Sequence, residues 1–218
     1  MPGSSSFAAA RHAPTERWKS RYREVLDAAA TEFADKGYSG ASTKDIADRL
    51  GIRPASLYYY LPSKEAFLAA ICESGVEEFI EHLRAIHARP VSGAEKIRLA
   101  IANHLSPLRK RPAGDYIRVF LRHRHELPRG PRHSVARLAN DYQNLIERIF
   151  ADGIAGGEFR SDLNAPRATL GLLGLCNSVI GARALPRSFS IDDFIEEYSR
   201  LVIFGVKSPD AQDKKTEL

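Results

Sequence analysis

The chain has 218 residues, 44% of them hydrophobic and 27% charged, which suits one or two domains with real cores and excludes a disordered chain. Its net charge of +5 and pI near 9.3 permit a polyanionic partner. No apolar run reaches the roughly 20 residues of a membrane-spanning helix, and two cysteines without ligand spacing, Cys72 and Cys176, exclude a disulfide framework, so a reducing cytoplasm is expected.

The residues up to Pro14 read as a flexible tail, with no basic region leading into an apolar core as a secretory signal would have. Thr15 to Lys36 predicts a long helix, with Tyr22, Val25, Leu26, Ala29 and Phe33 at helical spacing and Gly37 as its stop. Its Arg17, Lys19, Arg21 and Arg23 can either reach phosphate or form a solvated face. A second helix opens at Ser42, where Asp45 three residues on completes a capping box, and it buries Ile46, Ala47 and Leu50. Gly51 supplies a sharp turn. Pro54 suits the first turn of a third helix carrying Ala55 to Tyr60, whose Leu57, with Leu61, can pack on Ile46 and Leu50. This is a helix-turn-helix pattern, and its second helix fits the major groove. The expected DNA-facing set is Thr43, Lys44, Arg53, Ser56, Tyr58, Tyr59, Tyr60 and Lys64. Lys64 follows Ser63, a cap at the start of the next helix, where backbone N–H groups and an ammonium can meet one phosphate.

That fourth helix is predicted to run to about His87 through Phe67, Ile71, Val76, Phe79, Ile80 and Leu83, with Gly75 its weak point. After Pro90-Val91-Ser92-Gly93, a helix capped by Ser92 and Glu95 reaches roughly Arg109, bent or ended by Pro107. Asp115 to Leu127 predicts another, with Tyr116, Ile117, Phe120, Leu121 and Leu127 on an apolar face that Arg124 interrupts. At that spacing Arg124 would be buried and need an anionic partner, or else snorkel or pair with a structural carboxylate. Nine Lys/Arg stand against two acids between Arg109 and Arg137, a local +7 that the first 70 residues, at +2, do not match. A second anion-attracting surface is the expectation, with a plain solvated face as its alternative. Further helices follow over about Pro131 to Gly153, Pro166 to Leu185, and from Ser190 to Gly205. The helix from Pro166 is apolar nearly all round and carries small residues Gly171, Gly174, Ser178 and Gly181. With the last helix, which bears Phe194, Tyr198 and Leu201, it has more apolar face than one domain absorbs. A homodimer through a four-helix contact is expected there, against a monomer with a thicker core.

The motifs Gly51-Ile52, Ser56-Leu57-Tyr58-Tyr59-Tyr60 and Pro62-Ser63-Lys64-Glu65, with Ser42-Thr43 and Asp45-Ile46-Ala47 before them, resemble the N-terminal domain of the TetR/AcrR family of transcriptional regulators. The resemblance covers Lys19 to Phe67 and departs at Tyr60-Leu61, where members often carry His-Phe, and at Ala55, where they carry Gly. It implies an all-α protein of about nine helices: a flexible tail over 1–14, a DNA-binding domain over 15–62, an effector-binding and dimerisation domain over 63–206, and a tail over 207–218. It implies double-stranded operator DNA and a small-molecule effector as partners of a homodimeric repressor, with no cofactor and no enzymatic activity. More loosely, Gly153 to Phe159, Asp162 and Leu172-Leu173-Gly174 are similar to branches that sense acyl-CoA thioesters. On that resemblance Arg118, Arg122, Arg124 and Arg129 would meet CoA phosphates, while Phe79, Leu105, Phe120 and Tyr142 line an apolar cavity. A helical thioester enzyme or carrier and a nonspecific DNA-coating protein are the alternatives. No G-x-S-x-G, H-E-x-x-H, Walker or dinucleotide motif is present, and neither His82 with His87 nor His123 with His125 has the spacing of a metal pair.

Overall fold

The computed structural model describes residues 15–181 and 189–208. The expected N-terminal tail, the end of the 166–185 helix and most of the C-terminal tail lie outside the described residues. Within them stand nine α-helices: α1 (Glu16–Lys36), α2 (Thr43–Leu50), α3 (Pro54–Leu57), α4 (Lys64–His87), α5 (Gly93–Leu105), α6 (Ala113–His123), α7 (Arg129–Ala155), α8 (Ala165–Gly181) and α9 (Ile191–Val206). Short 3-10 turns at Ser106–Arg109 and Arg124–Glu126 follow α5 and α6.

The helix boundaries follow from local chemistry. Thr15 accepts from the Trp18 N–H at the start of α1, and Gly37 ends it at φ 74°. Ser42 and Asp45 form the reciprocal capping box of α2, and Gly51 closes that helix in the left-handed region at φ 64°. Ser63 accepts from Ala66 to open α4. Ser92 accepts from Glu95, but the box is not completed: the Glu95 carboxylate binds Arg98, and the Glu158 carboxylate accepts instead from the Gly93 and Ala94 N–H groups at 2.6 and 2.8 Å. Glu158 therefore ties the connector after α7 to the N-terminus of α5, where a negative charge is favoured.

Two apolar clusters form the core. One gathers Leu26, Phe33, Ile46, Leu57, Phe67 and Ile71 of the first four helices and reaches Tyr116, Val119, Leu127 and Val135. The other packs Ile80 and Leu83 against Ile97, Ile101, Ile146, Phe150, Leu172 and Ile180. Both take residues from α4, whose N-terminal half belongs to the first cluster and C-terminal half to the second. One rigid helix thus runs from the head into the body.

The α1–α6 junction is polar. The Asp115 side chain, 1% exposed, accepts from the Thr31 hydroxyl at 3.0 Å and the Arg111 guanidinium at 2.7 Å. Arg111 also reaches Asp35 at 2.7 Å, and the Tyr116 hydroxyl donates to Asp27 at 2.8 Å. A buried carboxylate needs such partners, because an unpaired charge at low dielectric is costly.

Candidate DNA-binding face and effector cavity

The first three helices present one exposed edge. Arg53, which leads into α3, and Ser56 within it are both solvent-exposed, as are Tyr58 at 51% and Tyr59 at 72%. Large exposed aromatics on so short an element are groups that a partner would cover. The predicted third helix is shorter than its sequence suggests: regular α-helix ends at Leu57, and Tyr58 to Tyr60 continue as a turn in which the Tyr60 and Leu61 N–H groups both reach the Leu57 carbonyl. Bulky aromatics with two of their three rings splayed to solvent offer little packing to extend the helix. Tyr60 differs from its neighbours, half-buried between Trp18, at 6.0 Å between ring centroids, and Tyr59, at 5.3 Å. Its place is in bracing α3 against α1.

On α2, the Thr43 hydroxyl lies 3.5 Å from that of Tyr58, and exposed Lys44 pairs with Asp48 at 3.1 Å. The Lys64 ammonium sits 4.5 Å above the Tyr38 ring, beside the Ser63 cap. No motif marks Tyr38 or Trp18 as supports, since each is a single aromatic outside the helix-turn-helix pattern. Along α1, Lys19 pairs with Glu16, Arg21 with Glu24 and Arg23 with Glu78 at 3.8 Å, so three of its four early cations already have acidic partners.

Between α4, α5, α6, α7 and α8 lies a cavity of about 340 Å³. Phe79, Ile117, Phe120, Leu121 and Leu173 make its walls apolar, and Arg124 stands at its lining with its guanidinium 4.7 Å over the Phe120 ring. Three polar residues from three helices meet inside it: His104, Tyr142 and Asn177. His104 Nδ1 is 3.0 Å from the Tyr142 hydroxyl and Nε2 is 3.2 Å from Asn177 Oδ1. Because a carbonyl oxygen can only accept, Nε2–H donates to Asn177 and Nδ1 accepts from Tyr142. Burial lowers the His104 pKa to about 4, against a smaller upward pull from Asn177, so the imidazole is neutral near pH 7. Burial likewise pushes the Tyr142 phenol well above its ordinary value.

Of the sequence-predicted effector residues, Phe79, Phe120, Arg124 and Tyr142 come together on this cavity. The others do not line it. Leu105 is wholly inside the core. Arg118 turns to Asp115 at 3.4 Å, satisfying the buried carboxylate, and Arg122 and Arg129 are exposed away from the cavity wall. Arg124 itself is exposed rather than buried, because α6 ends at His123 and the 3-10 turn moves it off the spacing of the apolar face. Much of the +7 segment is committed elsewhere: Arg109 pairs with Asp192, Arg111 with Asp35 and Asp115, and Arg132 with the Leu127 carbonyl. His104 and Asn177 carry no motif, and only the packing of α5, α7 and α8 reveals them.

On α8, Gly171, Gly174 and Ser178 are exposed, Gly174 also lining the cavity, and a Cβ added at either glycine would meet no atom within 4 Å. On α9, Leu201 is exposed, whereas Phe194 and Tyr198 are half-buried, Tyr198 reaching the Ser178 hydroxyl at 3.3 Å. Phe204 of α9 and Leu170 of α8 are exposed as well, Leu170 at the lining of the cavity.

Residues 25–71 match the model of bacterial regulatory proteins of the tetR family, and residues 90–181 match a tetracyclin repressor-like C-terminal domain. The chain is 26% identical over 166 residues to the fatty acid metabolism regulator protein of Bacillus subtilis, covering 73% of this chain and 81% of that one. The solved structure of AibR in complex with isovaleryl coenzyme A and operator DNA shares the fold at a TM-score of 0.73 and 21% identity, over 83% of this chain and 97% of that one. A transcriptional regulator of the TetR/AcrR family from Thermobifida fusca is 30% identical, with a TM-score of 0.63 over 85% of this chain and 98% of that one. On these matches to both its head and its body, the chain belongs to the TetR/AcrR family of transcriptional regulators.

Proposed function

We propose that this protein is a homodimeric repressor that leaves its operator when an acyl-CoA thioester enters the cavity. The carrying observation is the cavity itself, apolar along its walls with Arg124 beside it and built partly on α4, whose N-terminal half packs in the apolar cluster of the first three helices. An acyl chain suits the apolar walls, and CoA phosphates suit an exposed guanidinium. The neutral His104 cluster suits an uncharged thioester carbonyl better than a free carboxylate, to which the cluster itself offers no positive charge. AibR was solved with isovaleryl coenzyme A and operator DNA, and the Bacillus subtilis relative is named for fatty acid metabolism; both support the ligand class.

In this reading residues 15–62 form the DNA-binding unit and 63–206 the effector-binding and dimerisation unit, acting in the cytoplasm without catalysis. Thr43, Lys44, Arg53, Ser56, Tyr58, Tyr59 and Lys64 meet DNA, with Tyr60 as support. Gly171, Gly174, Ser178, Phe194, Tyr198 and Leu201 face the second copy. For release to follow binding, the thioester must bind the DNA-incompetent arrangement more tightly.

The test is binding of the purified protein to DNA upstream of its own gene beside a scrambled duplex, across a salt series, with and without palmitoyl-CoA. Specific binding that the thioester abolishes is expected, and Arg124→Ala should weaken palmitoyl-CoA binding about tenfold or more, the scale of a lost charge-assisted contact. Equal affinity for both duplexes would overturn operator reading. Specific binding indifferent to palmitoyl-CoA would discard the thioester alone.

A further inference from the structure

The geometry points to Tyr116 as the positioning residue that couples the cavity to the DNA-binding head, through its hydroxyl on Asp27 of α1. This rests on the reading of the cavity as the effector site, and it names the route by which occupancy would be felt. Tyr116 lines the cavity, while its hydroxyl crosses the head–body junction to Asp27 at 2.8 Å. A second cavity, of about 350 Å³, includes Asp27 and Arg23 of α1 and shares Gly75, Phe79 and Tyr116 with the first. Tyr116 is thus part of a partition between a space inside the body and a space bordered by the head.

The other polar bonds between α1 and the α6 region are of a different kind. Asp115, Arg111, Thr31 and Asp35 hold one another without lining the first cavity, so an occupant there has no direct purchase on them. They serve as the pivot. Opposite Tyr116, α4 has no side chain: a Cβ at Gly75 would come within 3.3 Å of the Tyr116 Cβ. The bare backbone at Gly75 leaves α6 closely seated on α4, and a group inserted there must push Tyr116. Since a hydrogen bond weakens steeply with misalignment, a modest displacement of the ring is enough to lose Asp27. With that bond gone, α1 keeps the pivot and the apolar packing it shares with Tyr116 and Val119 but loses its tie beside the cavity, and the head is freer to leave the orientation that suits an operator.

Gly75 permits a test without any ligand. Gly75→Val places bulk against Tyr116 as an effector would, and Tyr116→Phe deletes the hydroxyl while keeping the ring. Amide hydrogen exchange of the full-length protein reads the opening of α1 around Asp27. Tyr116→Phe should raise exchange there about tenfold, the scale of one hydrogen bond to a charged group. Gly75→Val should do the same alone, and should add little in the Tyr116→Phe background, because both act on one bond. Equal effects of Gly75→Val with and without the hydroxyl would overturn the coupling, as would unchanged α1 exchange in Tyr116→Phe. If Gly75→Val fails to fold, Gly75→Ala takes its place: it should slow exchange in α4, through better helix propensity, while speeding it in α1. A merely structural Gly75 would slow exchange in α4 alone. The measurement stands apart from the thioester reading: palmitoyl-CoA that fails to release DNA discards that effector, and the exchange cycle still decides the role of Tyr116.

Discussion

His104 shows how a single side chain in this body carries two consequences. Its ordinary pKa of 6.5 holds in the unfolded chain, whereas burial lowers it to about 4 in the folded one. Between those values the unfolded state binds more protons, so this residue's contribution to stability falls as pH drops from 6.5 toward 4 and is flat above 6.5. At about pH 5 the loss is on the order of 2 kcal/mol. His104→Gln should therefore lose less thermal stability than the parent between about pH 7 and about pH 5, as calorimetric melting will show. Gly153 is a residue of another kind, whose service is to be absent. A Cβ there would lie 2.3 Å from the ring of Phe159, itself buried against Phe150, so Gly153→Ala must displace a core ring. Overpacking of this sort costs about 1–3 kcal/mol, offset in part by roughly 1 kcal/mol of helix propensity. Urea unfolding should show a lower midpoint with an unchanged slope.

At the scale of elements, α2 and α3 are legible because their signals are local. Ser42, Asp45, Gly51 and Pro54 act within a few residues of themselves, and the structure has the capping box and left-handed turn where the sequence puts them. The extent of α3 was not legible, since the exposure of Tyr58 and Tyr59 depends on where α1 and Trp18 lie. Arg53→Ala should lower affinity for operator and scrambled duplex alike and flatten the dependence of log K on log salt by roughly one per head, as loss of a phosphate contact does. A large loss on the operator alone, with the salt slope kept, would make Arg53 a reader of bases. The cavity elements behave in the opposite way: Arg124 obeys the helical period in the sequence, but α6 ends one residue earlier and a 3-10 turn begins at Arg124.

For the whole molecule, the proposed dimer places the exposed residues of α8 and α9 between two copies, which would let a short head gain useful affinity. Leu201 at 53% and Phe204 at 67% exposure are large apolar side chains on α9 that a second copy would cover. Two heads on one symmetry axis multiply a weak individual contact. Phe204→Glu should shift sedimentation toward the monomer and weaken operator binding by about a hundredfold or more, as lost avidity does. A variant that stays dimeric would move the interface away from α9.

The all-helical class, the caps and turns of the head, and the family resemblance were readable along the chain, because each rests on interactions a few residues apart. The sequence also marked the small-residue face of α8 and the amphipathic run of α9, which periodicity makes visible. Only the tertiary structure decided what the basic segment does. Arg118 and Arg111 are drawn to the buried Asp115, Arg109 to Asp192, and Arg124 to the cavity, by partners distant in sequence or by a local break in the helix. The His104–Tyr142–Asn177 cluster and the Tyr116–Asp27 bond belong to the same class. Their members sit on different helices tens of residues apart, and no spacing along a chain records which faces meet once the helices pack.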